Sequence, residues 1–206
     1  MKIVKSAVLF ILCLSYLFSL AACDNSDKET QQYPPYYEQL RDSIGQPWQD
    51  VVTELGLNPE DTDLYGNGYV ILPEKAEFIG HRFHVVLKVQ PDYLDDAGAF
   101  VWFSYIHEYT GSSNETEIRT AAEDYFKLHE SFTQVHGEAK PSHIAPLGST
   151  VEELYEAFCD PKQSMEFAQI GEWDFSDGMT FTAAIGPYVK NELNLVLSYI
   201  PNENLN

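Results

Sequence analysis

Phe83, Val85, Leu87 and Val89 place four large apolar side chains at every second position of one run. Successive side chains of a β-strand point to opposite faces, so this spacing predicts extended structure with one buried face and disfavours a helix, whose apolar positions recur every three or four residues. Extended structure is predicted over residues 69–72 and 77–90. The turn signal Asp95-Asp96-Ala97-Gly98 then joins the second run to residues 99–109 as an antiparallel hairpin. Three more strands are expected at residues 165–175, 179–185 and 192–200, the first two joined by a turn at Ser176-Asp177-Gly178.

These strands fall into two similar series. The stretch from Ile44 to Leu55 lays over that from Leu147 to Phe158, matching a glycine at the second position, Gly45 and Gly148, and apolar residues at positions one, five, eight, nine and twelve. Both read as short amphipathic helices entered through a glycine. The first has Pro47 near its first turn and Gly56 as its stop; the second has Ser149 as N-cap with Glu152 three residues on, a capping box. Each helix is followed by about three strands, and each series ends alike, in Val101-Trp102-Phe103-Ser104-Tyr105-Ile106 and in Leu195-Val196-Leu197-Ser198-Tyr199-Ile200. Between the series Ile118, Ala122, Tyr125, Leu128, Phe132 and Val135 recur at three- and four-residue steps, bounded by Asn114 and Gly137. That stripe predicts a long helix laid across a sheet. The expected fold class is α+β: two related helix-plus-antiparallel-sheet units, residues 36–112 and 138–206, joined by a long amphipathic helix over 113–137.

The N-terminus says where such a body works. Lys2 and Lys5 precede an uncharged apolar run from Ser6 to Leu20, then the small residues Ala21 and Ala22 and a cysteine, Cys23. Residues 1–22 thus read as a signal peptide. Leu20-Ala21-Ala22-Cys23 resembles the lipobox of bacterial lipoproteins. The resemblance implies diacylglycerol on the Cys23 sulfur, cleavage before that cysteine, and attachment by acyl chains to the extracytoplasmic face of the cell membrane. Residues 23–35 are polar and end in Pro34-Pro35, as a tether would. Tyr33, Tyr36 and Tyr37, flanking those prolines, are expected to pack onto the domain. With Cys13 in the leader and Cys23 acylated, only Cys159 is left, and it is expected as a small buried hydrophobe, so stability must come from packing.

Helix-then-strands, given twice in a lipid-anchored chain, is similar to the tandem-repeat lipoproteins of the beta-lactamase-inhibitor-protein-like and small outer-membrane-assembly type. That resemblance implies a body that binds other proteins or serves as an accessory subunit. The long central helix and the lack of paired cysteines depart from that pattern.

Charge and motifs narrow the chemistry. The chain carries 32 acidic against 12 basic side chains, a net charge of −20, and two of the basic ones lie in the leader. Nucleic acid is therefore excluded as a partner, because phosphate binding needs clustered lysine and arginine. No local signature of a serine or zinc hydrolase occurs. His107-Glu108 has no second histidine at metal-binding spacing, His129 and His136 lie two helical turns apart, and His81 and His84 fall on opposite faces of a strand. No metal and no cofactor is expected. Asp61 and Asp63 followed by Gly66 imitate the start of a calcium loop, but Tyr65 and Leu72 stand at its fifth and twelfth positions, so a glycine-rich turn is expected. Trp102, Tyr105 and Trp173 are expected as core or cross-strand aromatics rather than carbohydrate platforms.

The expected function is a non-catalytic binding or accessory role in the bacterial envelope. Its partners are the membrane, through lipid on Cys23, and a protein or envelope ligand. Two alternatives are a cell-wall glycan hydrolase using paired carboxylates such as Glu172 and Asp174, which share a strand face, and a ligand-binding lipoprotein.

Overall fold

Seven antiparallel strands form one sheet with helices packed on one face. The computed structural model describes residues 33–65, 68–90, 98–109, 114–141, 147–160, 167–189 and 192–202. Residues 1–22 and Cys23 lie outside them. In chain order the elements are α1 (Tyr37–Asp42), α2 (Trp48–Glu54), β1 (Asp63–Tyr65), β2 (Tyr69–Phe78), β3 (His81–Val89), β4 (Phe100–Glu108), α3 (Glu115–His136), α4 (Val151–Cys159), β5 (Ala168–Asp174), β6 (Met179–Val189) and β7 (Glu192–Pro201). The order across the sheet is β1-β2-β3-β4-β7-β6-β5. Strands from both halves of the chain thus share one hydrogen-bonded ladder, closed at its centre by β4 against β7, with Ser104 directly opposite Ser198.

The alternation read from the sequence sets the sheet's two faces. Phe83, Val85, Leu87 and Val89 are fully buried against the helices, as the period-two spacing requires. Beside them the register lines Phe103, Tyr199, Phe181 and Trp173 up across β4, β7, β6 and β5. Their rings stack in turn, with centroids 5.2, 4.9 and 5.4 Å apart. Each such pair contributes about 0.5–1.5 kcal/mol beyond the area it buries. Trp173 and Tyr105 are core aromatics, as expected, with the Trp173 indole N–H donating to the Gly137 carbonyl at 2.8 Å.

The long helix forms where its stripe and caps place it. The Asn114 side chain accepts from the Thr116 amide, Gly137 follows the last residue with φ +84°, and Ile118, Ala122, Leu128 and Phe132 are buried. It packs on β5, β6 and β7 and against α4. The N-terminal tyrosines pack onto the body: Tyr37 is buried, stacks on Tyr33 at 4.3 Å and donates to Asp177, while Tyr105 donates to the Pro35 carbonyl at 2.6 Å.

Several local readings move. The cap of α4 is Thr150 rather than Ser149: Thr150 Oγ1 accepts from the Glu153 amide, and Glu153, not Glu152, reaches back to the Ser149 amide and hydroxyl. The extended run 77–90 is broken by a hairpin at Ile79 and Gly80, with φ of +46° and +82°, the two left-handed residues of a tight β-turn. Helix α1 had no counterpart in the sequence reading. Cys159 is exposed, not buried. The buried face of α4 is Leu154, Ala157 and Phe158, and Cys159, one residue further round, turns off that face.

Candidate functional site

The second face of the sheet carries the side chains that alternate with the core. The cross-strand rows on it are Tyr65–Tyr69–Lys88–Trp102, Asp63–Ile71–Val86–Ser104 and His84–Ile106–Val196, followed by Glu108 opposite Asn194. The buried residues of the four described helices join the core on the other face. No described helix covers this face, although Val86, Ser104, Ile106 and Asn194 on it are buried. Among the described residues, the exposed large hydrophobics are Tyr65, Phe167 and Ile200, and all three belong here. Tyr65 pairs with Tyr69, Ile200 with Thr180, and the Phe167 ring lies over Gly186, where a Cβ would stand 2.6 Å from it.

A groove of about 590 Å³ runs across β1, β2, β3, β4 and β7 on this face. Its floor is apolar, made by Ile71, Val86 and Ile106, the last two buried. Tyr65 and Tyr69 form one wall. Asp63, Glu108 and Glu192 bring three carboxylates to the lining, with Asn194 beside them. His84 stands half-buried among these acids. Burial pushes its pKa below the ordinary value, helped by the positive charges of Lys75 and Arg82 and opposed by Glu108 and Asp63. At one end the Lys88 ammonium sits 4.0 Å from the centre of the Tyr69 ring, whose edge meets Trp102.

Of the residues weighed for chemistry, Asp63 and His84 line the groove, whereas Glu172 and Asp174 lie outside it. Glu172 and Asp174 do share a face, but both bind Lys140, at 3.0 and 2.6 Å, and both are at least partly exposed. The Lys140 ammonium and the Thr180 hydroxyl hold Asp174 below the usual carboxylate range, the opposite of what a general acid needs. Trp173, between them in sequence, points into the core. His81 and His84 do lie on opposite faces, as the spacing requires. His129 is exposed, whereas His136 packs among Phe132, Trp173, Phe175 and Phe181, where burial lowers its pKa.

One polar cluster was not foreseen. On the helix side, Asp124 of α3 is buried, accepts from the Tyr109 hydroxyl at 3.0 Å and lies 3.4 Å from His81 Nε2. The His107 ring lies 4.6 Å from that of His81, and the His107 Nδ1 lies 3.1 Å from the Arg82 carbonyl. Burial lowers the His81 pKa against the pull of Asp124 and raises that of Tyr109. The acid at position 124 interrupts an otherwise hydrophobic helix face, and that interruption was the available signal. Among the described residues, no group of three or more histidine, cysteine or acidic side chains is placed to hold a metal ion. No described helix is long and apolar enough to cross a membrane.

The chain matches no protein-family model, no curated protein and no solved structure.

Proposed function

We propose that this chain is a bacterial lipoprotein, held at the extracytoplasmic face of the membrane by lipid on Cys23. Its body binds a protein partner, without catalysis, through the helix-free face of the sheet. The observation that carries the binding surface is the groove, an apolar floor left open on the one face that no described helix covers. Tyr65, Phe167 and Ile200 extend that apolar character along the same face. Solvent-exposed apolar side chains gathered on one surface and edged by acids are what partner binding needs. Glu172 and Asp174, the pair a glycan hydrolase would use, are tied to Lys140, which favours the non-catalytic reading.

The strand order supports two related units as the origin of this surface. Helix, then antiparallel strands, occurs as α2-β1-β2-β3-β4 and again as α4-β5-β6-β7, and the sheet sets β2-β3-β4 against β7-β6-β5, with β1 added at one edge. The two Ser-Tyr-Ile strands meet antiparallel with Ser104 opposite Ser198, the positions matched in sequence, an arrangement that two related units would give.

The test is photo-crosslinking in intact cells. A crosslinking residue placed at Tyr65 or Ile200 is expected to capture one protein, and the same residue at Glu156 on the exposed side of α4 is not. Capture from Glu156 alone would refute the assignment of the face. For the anchor, Cys23→Ala is expected to move the protein from the membrane to the soluble fraction; unchanged fractionation would refute lipidation at Cys23.

A further inference from the structure

We propose that the groove receives an extended segment of a partner protein that carries arginine or lysine between apolar residues. This rests on the reading of the helix-free face as the binding surface. Charge selects the occupant. Asp63, Glu108 and Glu192 line the groove, and among the described residues no lysine or arginine forms an ion pair with any of them. Some acids outside the groove are matched, Glu172 and Asp174 by Lys140, Glu152 by Arg119 and Asp177 by Arg41. Lys75, Arg82 and Lys88 stand on the same face, but the groove lining itself carries three carboxylates beside an apolar floor and no lysine or arginine among the described residues, which suits an incoming cation.

Shape agrees with charge. Long basic side chains lay their methylene stems on apolar surface and carry the charge to its rim. Ile71, Val86 and Ile106 provide such a floor, and the carboxylates stand along it. Tyr65, half exposed on the edge strand β1, presents a ring to a guanidinium, as Tyr69 already does to the Lys88 ammonium at 4.0 Å. A volume of about 590 Å³ exceeds one side chain and falls within the range of about 300–1,000 Å³ typical of ligand sites. The net charge of −20 would also steer a basic partner toward the body.

The experiment uses the full-length chain in detergent and three labelled hexapeptides in which valine alternates with arginine, serine or glutamate. Affinity is read by fluorescence anisotropy and location by methyl NMR. The arginine peptide is expected to bind and to shift the methyls of Ile71 and Ile106, but not that of core residue Ile185. The double variant Glu108→Gln, Glu192→Gln is expected to weaken it about tenfold, as is added salt to a lesser degree, and Glu172→Gln should leave it unchanged. Equal binding of the serine peptide with the same methyl shifts would overturn the cationic occupant while leaving the face intact. Shifts confined to the helices would overturn both. Displacement of the arginine peptide by spermidine at matching affinity would overturn a protein segment in favour of a small polyamine, and no binding of the arginine peptide would overturn the proposal.

Discussion

Among the described residues His84 is the one histidine lining the groove, and its environment fixes the direction of a pH effect. Burial, Lys75 and Arg82 disfavour its charged form, and Glu108 and Asp63 favour it, leaving the pKa below 6.5. At neutral pH the ring is uncharged and adds no positive charge beside the three carboxylates. As pH falls through that lowered pKa the ring gains a proton, adds positive charge to the groove and competes with a cationic segment. Affinity for the arginine peptide is therefore expected to fall several-fold between pH 7.5 and 5 in the native chain and to change less in His84→Asn; equal losses in both would exclude His84 as the cause. The separation of His81 from His84 was legible from strand parity alone. The burial of His81 was not, because its partner Asp124 is far along the chain and reaches it only when α3 packs on the sheet. Cys159 misled for a related reason: apolar neighbours in sequence mark a helix, but the direction of the last residue depends on which face of α4 is taken up.

Among the elements, β5 depends on a position without a side chain. The Trp173 ring lies directly over Gly171, and a Cβ there would come within 2.7 Å of ring carbons on both sides of the indole's benzene edge. Trp173 is also the end of the stacked row through Phe181 and Tyr199, so its ring has little freedom to move. Gly171→Ala is expected to destabilise the fold by about 1–3 kcal/mol, as overpacking of a filled core does, seen as a lower urea midpoint. A midpoint unchanged within error would mean that the ring can shift. Element types were legible wherever a long pattern repeated, as in α3 and in β3. The Ile79–Gly80 hairpin was not, because an isoleucine in the left-handed region carries none of the usual turn signals and its burial with the core sustained the apolar run. Moving the α4 cap from Ser149 to Thr150 is the same kind of miss, since two adjacent hydroxyl residues and two adjacent glutamates offer the same motif in either register.

For the whole molecule, His81, His84 and His136 all sit where burial lowers their pKa. Each takes up protons more readily unfolded than folded, so the stability they allow is full above the unfolded value of 6.5 and declines as pH falls below it. The urea midpoint is expected to drop between pH 7 and 5, and His136→Phe, which keeps a ring among Phe132, Phe175 and Phe181, should reduce that drop; an identical pH profile would show that His136 contributes nothing to it. What the sequence by itself determined is local: strand faces from period-two alternation, and the α3 stripe and its caps. Those signals need only near neighbours, because side-chain direction follows from backbone geometry. The meeting of β4 with β7, the pairing of Asp124 with His81, and the gathering of Asp63, Glu108 and Glu192 around one apolar floor were decided by the tertiary structure alone. They join residues tens of positions apart, and only the packing of the helices on one face fixes which side chains are left on the other.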